Sequence, residues 1–328
     1  MRLILMGTGP FAVPAFRALL NGPHIVLGLV TRPDRPARGK TAAETNPARA
    51  LAMQRGLTVI APESVNSPEA HDQLRAWGAD LFVVCDYGQI LSRETLGLAR
   101  LGGINLHGSL LPDYRGAAPI QWAIYHGETE TGVTVIHMTP LLDGGPCLVQ
   151  RSTPIGPDET NVELEPRLAE LGVQATLGAL ALLESGQTTG IAQDAALASR
   201  APRLQKNAGR LDWTRSAEEL RNQIRAWQPW PKSFTHWLRP EGEPLRLIID
   251  GAAVHGEVAT ISLLHRSGLS NETLPGTVIS AYDEELIVRC GRGSLQLTAI
   301  QPAGKKTLTA GEFLRGQRVK IGERFGEK

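Results

Sequence analysis

Between Gly102 and Gly116 the chain reads GGINLHGSLLPDYRG. Ile104, Asn105, Leu106 and His107 alternate apolar and polar, so at the end of a strand Asn105 and His107 project from one face. An asparagine amide can donate to an oxygen that is gaining negative charge, and a histidine can give or take a proton near neutral pH. That pair suits acyl transfer through a tetrahedral adduct. A carboxylate to orient the imidazole would complete it, and Asp143, in Leu142-Asp143-Gly144-Gly145, is the candidate. A second reading stays open at this point, because buried Asn and His side chains commonly do no more than satisfy neighbouring backbone.

The elements around these residues are those of an α/β sheet. Apolar runs at Arg2–Met6 and Ile25–Thr31 flank a segment with helical spacing at Phe11, Phe16, Leu19 and Leu20. The pattern recurs from Leu57–Ile60 through a helical stretch at Pro68–Trp77 to Asp80–Cys85 and Gly103–Leu106. Continuous apolar strands alternating with helices predict an open, mostly parallel, Rossmann-like sheet covered on both faces. A hairpin at Gly132–Met138 and Cys147–Ser152 and a long helix at Asn161–Leu183 complete a first domain, residues 1–190. Residues 191–208 read as a linker and residues 316–328 as a tail. Between them, in residues 209–315, a helix at Ser216–Ala226 precedes short strands at Leu245–Ile249, Val258–Leu264, Gly276–Ser280, Glu285–Cys290 and Ser294–Ile300. That spacing predicts a small β-barrel of the oligonucleotide-binding type.

Composition narrows the function classes. The 328 residues are 42% hydrophobic and 20% charged, as in ordinary globular proteins. No apolar run reaches membrane-spanning length and no signal peptide is evident, so a cytoplasmic location is expected. Three scattered cysteines and eight histidines without ligand spacing predict neither a disulfide framework nor a metal site. No heptad asks for a partner helix, so a monomer is expected. The turn Gly7-Thr8-Gly9-Pro10-Phe11-Ala12 loosely matches a dinucleotide fingerprint. Its second strand ends in Thr31-Arg32-Pro33 without the acidic residue a ribose needs, so the turn reads as structural, or as a phosphate or ligand turn without a dinucleotide. Net charge is +1, yet residues 201–240 hold eight Lys or Arg against three Asp or Glu, and residues 301–328 hold seven against three. Such basic segments suit an anionic partner such as nucleic acid, or are simply a solvated face.

The run INLHGSLLPDYRGAAPIQWAIYHGETETGVT, followed by LLDGG, resembles the folate-dependent formyltransferases, and the resemblance extends from Gly7 to about Arg315. It implies 10-formyltetrahydrofolate as the formyl donor and Asn105, His107 and Asp143 as the catalytic group. It further implies that Ser109, Leu110, Leu111 and Pro112 form a folate-contacting loop, with Tyr87, Gln89, Ile90 and Leu91 lining the pterin pocket. Within that family, the basic loop with Arg35, Arg38 and Lys40, and the segments Leu211-Asp212-Trp213, Pro229-Trp230-Pro231 and Gln301–Lys306, resemble the branch acting on initiator methionyl-tRNA. Lys206, Lys305 and Lys306 are then candidate tRNA contacts. Enzymes that formylate sugar nucleotides share the catalytic core and form the alternative. The chain departs from the family pattern at Asp86, Asp113 and Pro146.

Overall fold

Leu3, Ile4, Leu5 and Met6 are all within 1% of complete burial, as a strand covered on both faces requires. They belong to β1 (Arg2–Gly7), an inner strand of a seven-stranded sheet in the computed structural model, which describes residues 1–34, 46–187 and 189–327. Arg35, Arg38 and Lys40 lie outside the described residues. Arg49 and Asn46 begin the chain again, Asn46 capping the helix Pro47–Gln54 by accepting from Arg49 N at 2.9 Å.

Two compact units divide the chain. The first comprises residues 1–120, 130–155 and 163–203. Its strands after β1 are β2 (Ile25–Val30), β3 (Val59–Ile60), β4 (Leu81–Cys85), β5 (Gly103–His107), β6 (Arg115–Gly116), β7 (Glu130–His137), β8 (Cys147–Pro154) and β9 (Arg200–Ala201). The main sheet runs β3-β2-β1-β4-β5-β7-β8, parallel through β5 and antiparallel at β7 and β8. The order therefore reverses between β1 and β4, which is where open α/β sheets leave a crevice outside their strand ends. The helix Pro68–Trp77 starts where Ser67 accepts from Ala70 N and stops at Gly78, whose φ of +62° suits glycine.

The expected linker is not free in this structure. Its first part belongs to the first unit, where Arg115 and Gly116 of β6 pair in parallel with Arg200 and Ala201 of β9. Gly116, at φ +134°, approaches so closely that an added Cβ would lie 2.3 Å from Ala201 O.

The second unit comprises residues 121–129, 156–162 and 204–328. Its strands are β10 (Ser233–Leu238), β11 (Leu245–His255), β12 (Val278–Tyr282), β13 (Glu285–Arg289), β14 (Ser294–Pro302), β15 (Leu308–Thr309) and β16 (Arg324–Gly326). The order β12-β13-β14-β11-β10-β16 curls back on itself. Phe325 N donates to Gly276 O at 2.7 Å and Val278 N to Glu323 O at 2.8 Å, so the last strand meets the stretch leading into β12 and the barrel closes. Trp213, Trp237, Leu247, Leu297, Phe313 and Phe325 fill it. Three sequence expectations change here. Val258–Leu264 is part of a helix, Glu257–Arg266; β10 had not been foreseen; and the presumed tail supplies the closing strand.

Candidate active site

Asn105 and His107 stand at the carboxyl end of β5 as their alternation requires, Asn105 half-buried and His107 only 6% exposed. The loop between β7 and β8 brings Asp143 to them. Asn105 Nδ2 donates to Asp143 Oδ1 at 3.4 Å, and His107 Nδ1 lies 3.8 Å from Asp143 Oδ2. The second distance is that of an ion pair rather than a hydrogen bond. His107 Nε2 is 2.9 Å from Tyr114 O. A carbonyl only accepts, so Nε2 carries a hydrogen, and proton exchange is left to Nδ1 on the Asp143 side.

Asp143 is held firmly. Its φ is +48°, its Oδ2 accepts from Gly116 N at 2.9 Å, and its carbonyl accepts from Gln193 Nε2 at 2.8 Å. The same Nε2 reaches Gly145 O at 2.7 Å, while Gln193 Oε1 accepts from Arg115 Nε at 3.0 Å and Nη2 at 2.6 Å. One glutamine thus clamps both sides of the Asp143 turn and is itself gripped by a guanidinium. Sequence reasoning passed over Arg115 and Gln193. An isolated Gln in a weakly patterned stretch carries no signal, although Arg115 lay inside the most informative run.

The segment after His107 is equally fixed. Ser109 Oγ donates to Asp113 O at 2.6 Å, and Thr134 Oγ1 donates to Ser109 O at 2.7 Å while accepting from Leu111 N at 3.0 Å. Gln150 Nε2 adds a bond to Leu111 O at 2.6 Å. Ser109 and Leu111 are buried, and Leu110 and Pro112 are half-buried. Asp113, exposed at this loop, accepts from Ser199 Oγ at 3.3 Å.

The four residues expected around a pterin behave differently from one another. Tyr87 and Leu91 are buried in the cluster that includes Ile4, Val30 and Val65. Gln89 is fully engaged as a brace, accepting from Val65 N at 2.8 Å and donating to Pro62 O at 3.2 Å. Ile90 alone faces out, 60% exposed, and on the loop beyond β7 Leu141 and Leu142 are 62% and 53% exposed. These apolar side chains lie on the two loops that flank the end of β5. Among the described residues no group of three His, Cys, Asp or Glu is arranged for a metal, and no helix is long and apolar enough to cross a membrane.

In the second unit, Lys206, Lys305 and Lys306 are all exposed. Lys206 opens a short turn, Lys206–Gly209, that is pinned where Ala208 O accepts from Trp227 Nε1 at 3.1 Å. The Lys305 turn is fixed by Gln301 Nε2 on Lys305 O at 2.9 Å. Asp250 joins the neighbourhoods, binding Thr307 Oγ1 at 2.9 Å and Lys232 Nζ at 3.0 Å.

Two family models match the chain: formyl transferase over residues 1–180 and the formyl transferase C-terminal domain over residues 203–318. The chain belongs to the formyl transferase family. Among curated formyl transferases it is similar to the methionyl-tRNA formyltransferase of Rhodopirellula baltica, 45% identical over 99% of this chain and 96% of that one. The methionyl-tRNA formyltransferase of Geobacter sulfurreducens is 39% identical over 100% and 97%. In fold it resembles WlaRD, a sugar 3N-formyl transferase solved in the presence of dTDP and 5-N-formyl-THF. That match has a TM-score of 0.63 and 16% identity, over 93% of this chain and 99% of that one. HypX from Aquifex aeolicus, solved with tetrahydrofolic acid, aligns with a TM-score of 0.58 and 17% identity over 98% of this chain and 50% of HypX. These two likenesses concern the formyl transferase fold.

Proposed function

We propose that this formyl transferase moves the formyl group of 10-formyltetrahydrofolate onto the amino group of methionine carried by initiator tRNA, as a cytoplasmic monomer. The observation that carries the chemistry is the convergence of Asn105, His107 and Asp143, from two separate segments, at one end of β5. The full-length likeness to methionyl-tRNA formyltransferases supports the acceptor.

The folate supplies an activated formyl group. Exposed Ile90, Leu141 and Leu142 fit a flat heteroaromatic ring, whose binding would cover their apolar surface. Asn105 Nδ2 then serves the formyl oxygen, exchanging its long bond to Asp143 for a donor contact that strengthens as the oxygen becomes an oxyanion. His107, anchored by Tyr114 O, presents Nδ1 to the same region. A proton on Nδ1 has the Asp143 carboxylate as its anionic neighbour without being tied up in a short bond, so it remains available to the oxyanion. Asp143 keeps its charge oriented through Gly116 N and accepts the proton that the acceptor amine sheds. No covalent enzyme intermediate is required.

The test is formyl transfer from 10-formyltetrahydrofolate to methionyl initiator tRNA, compared with amino-sugar nucleotides. Wild type should form formyl-methionyl-tRNA, and Asn105→Ala, His107→Ala and Asp143→Ala should each lower kcat by about 10²- to 10⁴-fold. Turnover confined to an amino sugar would refute the acceptor. Variants as fast as wild type would refute the site.

A further inference from the structure

The reversal of strand order between β1 and β4 opens a crevice one strand away from Asn105 and His107, and a carboxylate with no role in the chemistry above sits in it. Asp86 is the first residue past β4. Val84 pairs with Asn105 in the parallel register of β4 on β5, so continuing that register puts Asp86 level with His107. Its φ is +49°, a backbone state that Asp and Asn tolerate better than most residues. Asp86 O accepts from Thr8 N at 3.1 Å, which ties it to the turn after β1.

The side chain is pressed against that same turn. A Cβ added to Gly9 would lie 1.7 Å from Asp86 Oδ2, which explains the second glycine of Gly7-Thr8-Gly9 without any nucleotide. The carboxylate is surrounded by protein yet open to solvent on one side, as befits a crevice. Among the described residues no hydrogen bond or ion pair engages it. Two charges bear on it: Glu165, from the helix Asn161–Glu184, and Arg32, just past β2. Its neighbours Cys85 and Tyr87 stay neutral, burial raising both the thiol and the phenol. Open to solvent on one side and engaged by no hydrogen bond or ion pair among the described residues, the Asp86 carboxylate is suited to receive a cation.

We propose that Asp86 binds the protonated amine of the acceptor and takes its first proton, delivering the free amine to the formyl carbon beside Asn105. The assignment rests on the amine-acceptor reading above and adds a residue to it. The ammonium and the carboxylate become an amine and a carboxylic acid. The freed nitrogen lone pair then forms the new bond to the formyl carbon, and the bond from that carbon to the donor nitrogen breaks. The second amine proton passes through Asp143 and His107 to the donor nitrogen, and the Asp86 proton returns to solvent through the open side of the crevice.

The proton affinity of the crevice supports the step. Burial first, then Glu165, push the Asp86 pKa up to about 6, with Arg32 opposing. A free α-amino group titrates near 8, so the transfer is uphill by only about two pK units.

Asp86→Asn preserves shape and tolerates the backbone. It should lower kcat/KM for the acceptor about tenfold at pH 7, where only about a tenth of such an amine is unprotonated, and recover to within about threefold of wild type by pH 8.5. KM for the folate should stay put. As a binding readout, wild type should prefer an acceptor analogue bearing the amine over its hydroxy counterpart by about tenfold, and Asp86→Asn and Asp86→Ala should abolish the preference. A folded Asp86→Asn protein with the wild-type pH profile, a loss equal at every pH, or a defect confined to the folate KM would each overturn the proposal. Each result is the ratio of variant to wild type on whichever amine acceptor turns over, so a wrong choice of acceptor remains distinguishable from a wrong role for Asp86.

Discussion

Gln193 has no contact with the reacting groups in the proposed chemistry, yet replacing it should slow the reaction. It makes two bonds to the carbonyls of Asp143 and Gly145 and receives two from Arg115. Neutral hydrogen bonds contribute about 1 kcal/mol net and those to a charged group about 1.5–3 kcal/mol, so Gln193→Ala releases roughly 2–4 kcal/mol of restraint on the turn, allowing for water replacing part of it. The turn also holds Asp143 at φ +48°, a state that a non-glycine residue leaves readily once released. If about 1.4–2.7 kcal/mol of this restraint acts on the competent position of Asp143, kcat falls about 10- to 100-fold. KM for the folate and the acceptor should move little. Gln193→Glu discriminates further, because it keeps the Arg115 pairing but sets a carboxylate against two carbonyls. It should be at least as slow as Gln193→Ala although the guanidinium bonds survive. Steady-state kinetics with thermal unfolding as a folding check decides the matter. A folded Gln193→Ala enzyme within twofold of wild-type kcat would show that the Asp143 turn holds its place without the clamp.

Reversing charge with Lys305→Glu and Lys306→Glu should weaken tRNA binding at low salt and reduce the slope of log affinity against log salt by about 1 to 2, if both lysines lie on phosphates; filter binding over a salt series measures it. Trp227→Ala removes a side chain 1% exposed, its stack on Tyr125 at 4.8 Å and its bond to Ala208 O. The second unit should lose about 3–5 kcal/mol, read by denaturant unfolding. For Asp86 the pH dependence of stability has a definite sign. Its folded pKa of about 6 lies above the ordinary carboxylate value, so the charged form is less welcome in the folded chain. That penalty is complete above pH 6 and fades as pH falls through 6 toward 4. Asp86→Asn should therefore raise the melting temperature at pH 8, by an amount equivalent to about 1 kcal/mol given the solvent-open side, and leave it unchanged near pH 4. A stabilisation of equal size at both pH values would refute it.

The inner strands of the first unit were legible because burial on both faces demands unbroken apolar runs, and Arg2–Met6 and Leu81–Cys85 supply them. That Asn105 and His107 share a face was legible from alternation, but their role came from the family resemblance, and the approach of Asp143 depends on contacts 38 residues apart that no spacing reveals. In the barrel the signal failed for specific reasons. β10 turns Ser233, Thr235 and Trp237 inward, so its buried face is mostly polar and reads as a solvent face. Thr235 tolerates this by accepting from Trp213 Nε1 at 3.0 Å. The segment Val258–Leu264 is apolar and rich in β-branched residues, as a strand would be, but Thr260, Leu263 and Leu264 fall on one helical face and are the ones buried. Thr260 secures that choice by binding Gly256 O at 3.0 Å.

Closure of the barrel by the three residues Arg324–Gly326 has a bearing on how the second unit comes apart. With β16 in place, β10 and β12 each have a neighbour on both sides. The two strands that flank β16 then offer no free edge to another molecule, and the slowest-exchanging amides open only when the whole ring does. Loss of this one short strand uncovers two edges at once, on β10 and β12. Resistance to edge-to-edge aggregation therefore depends less on the long strands β11 and β14 than on Phe325, whose fully buried ring keeps the shortest closing segment seated.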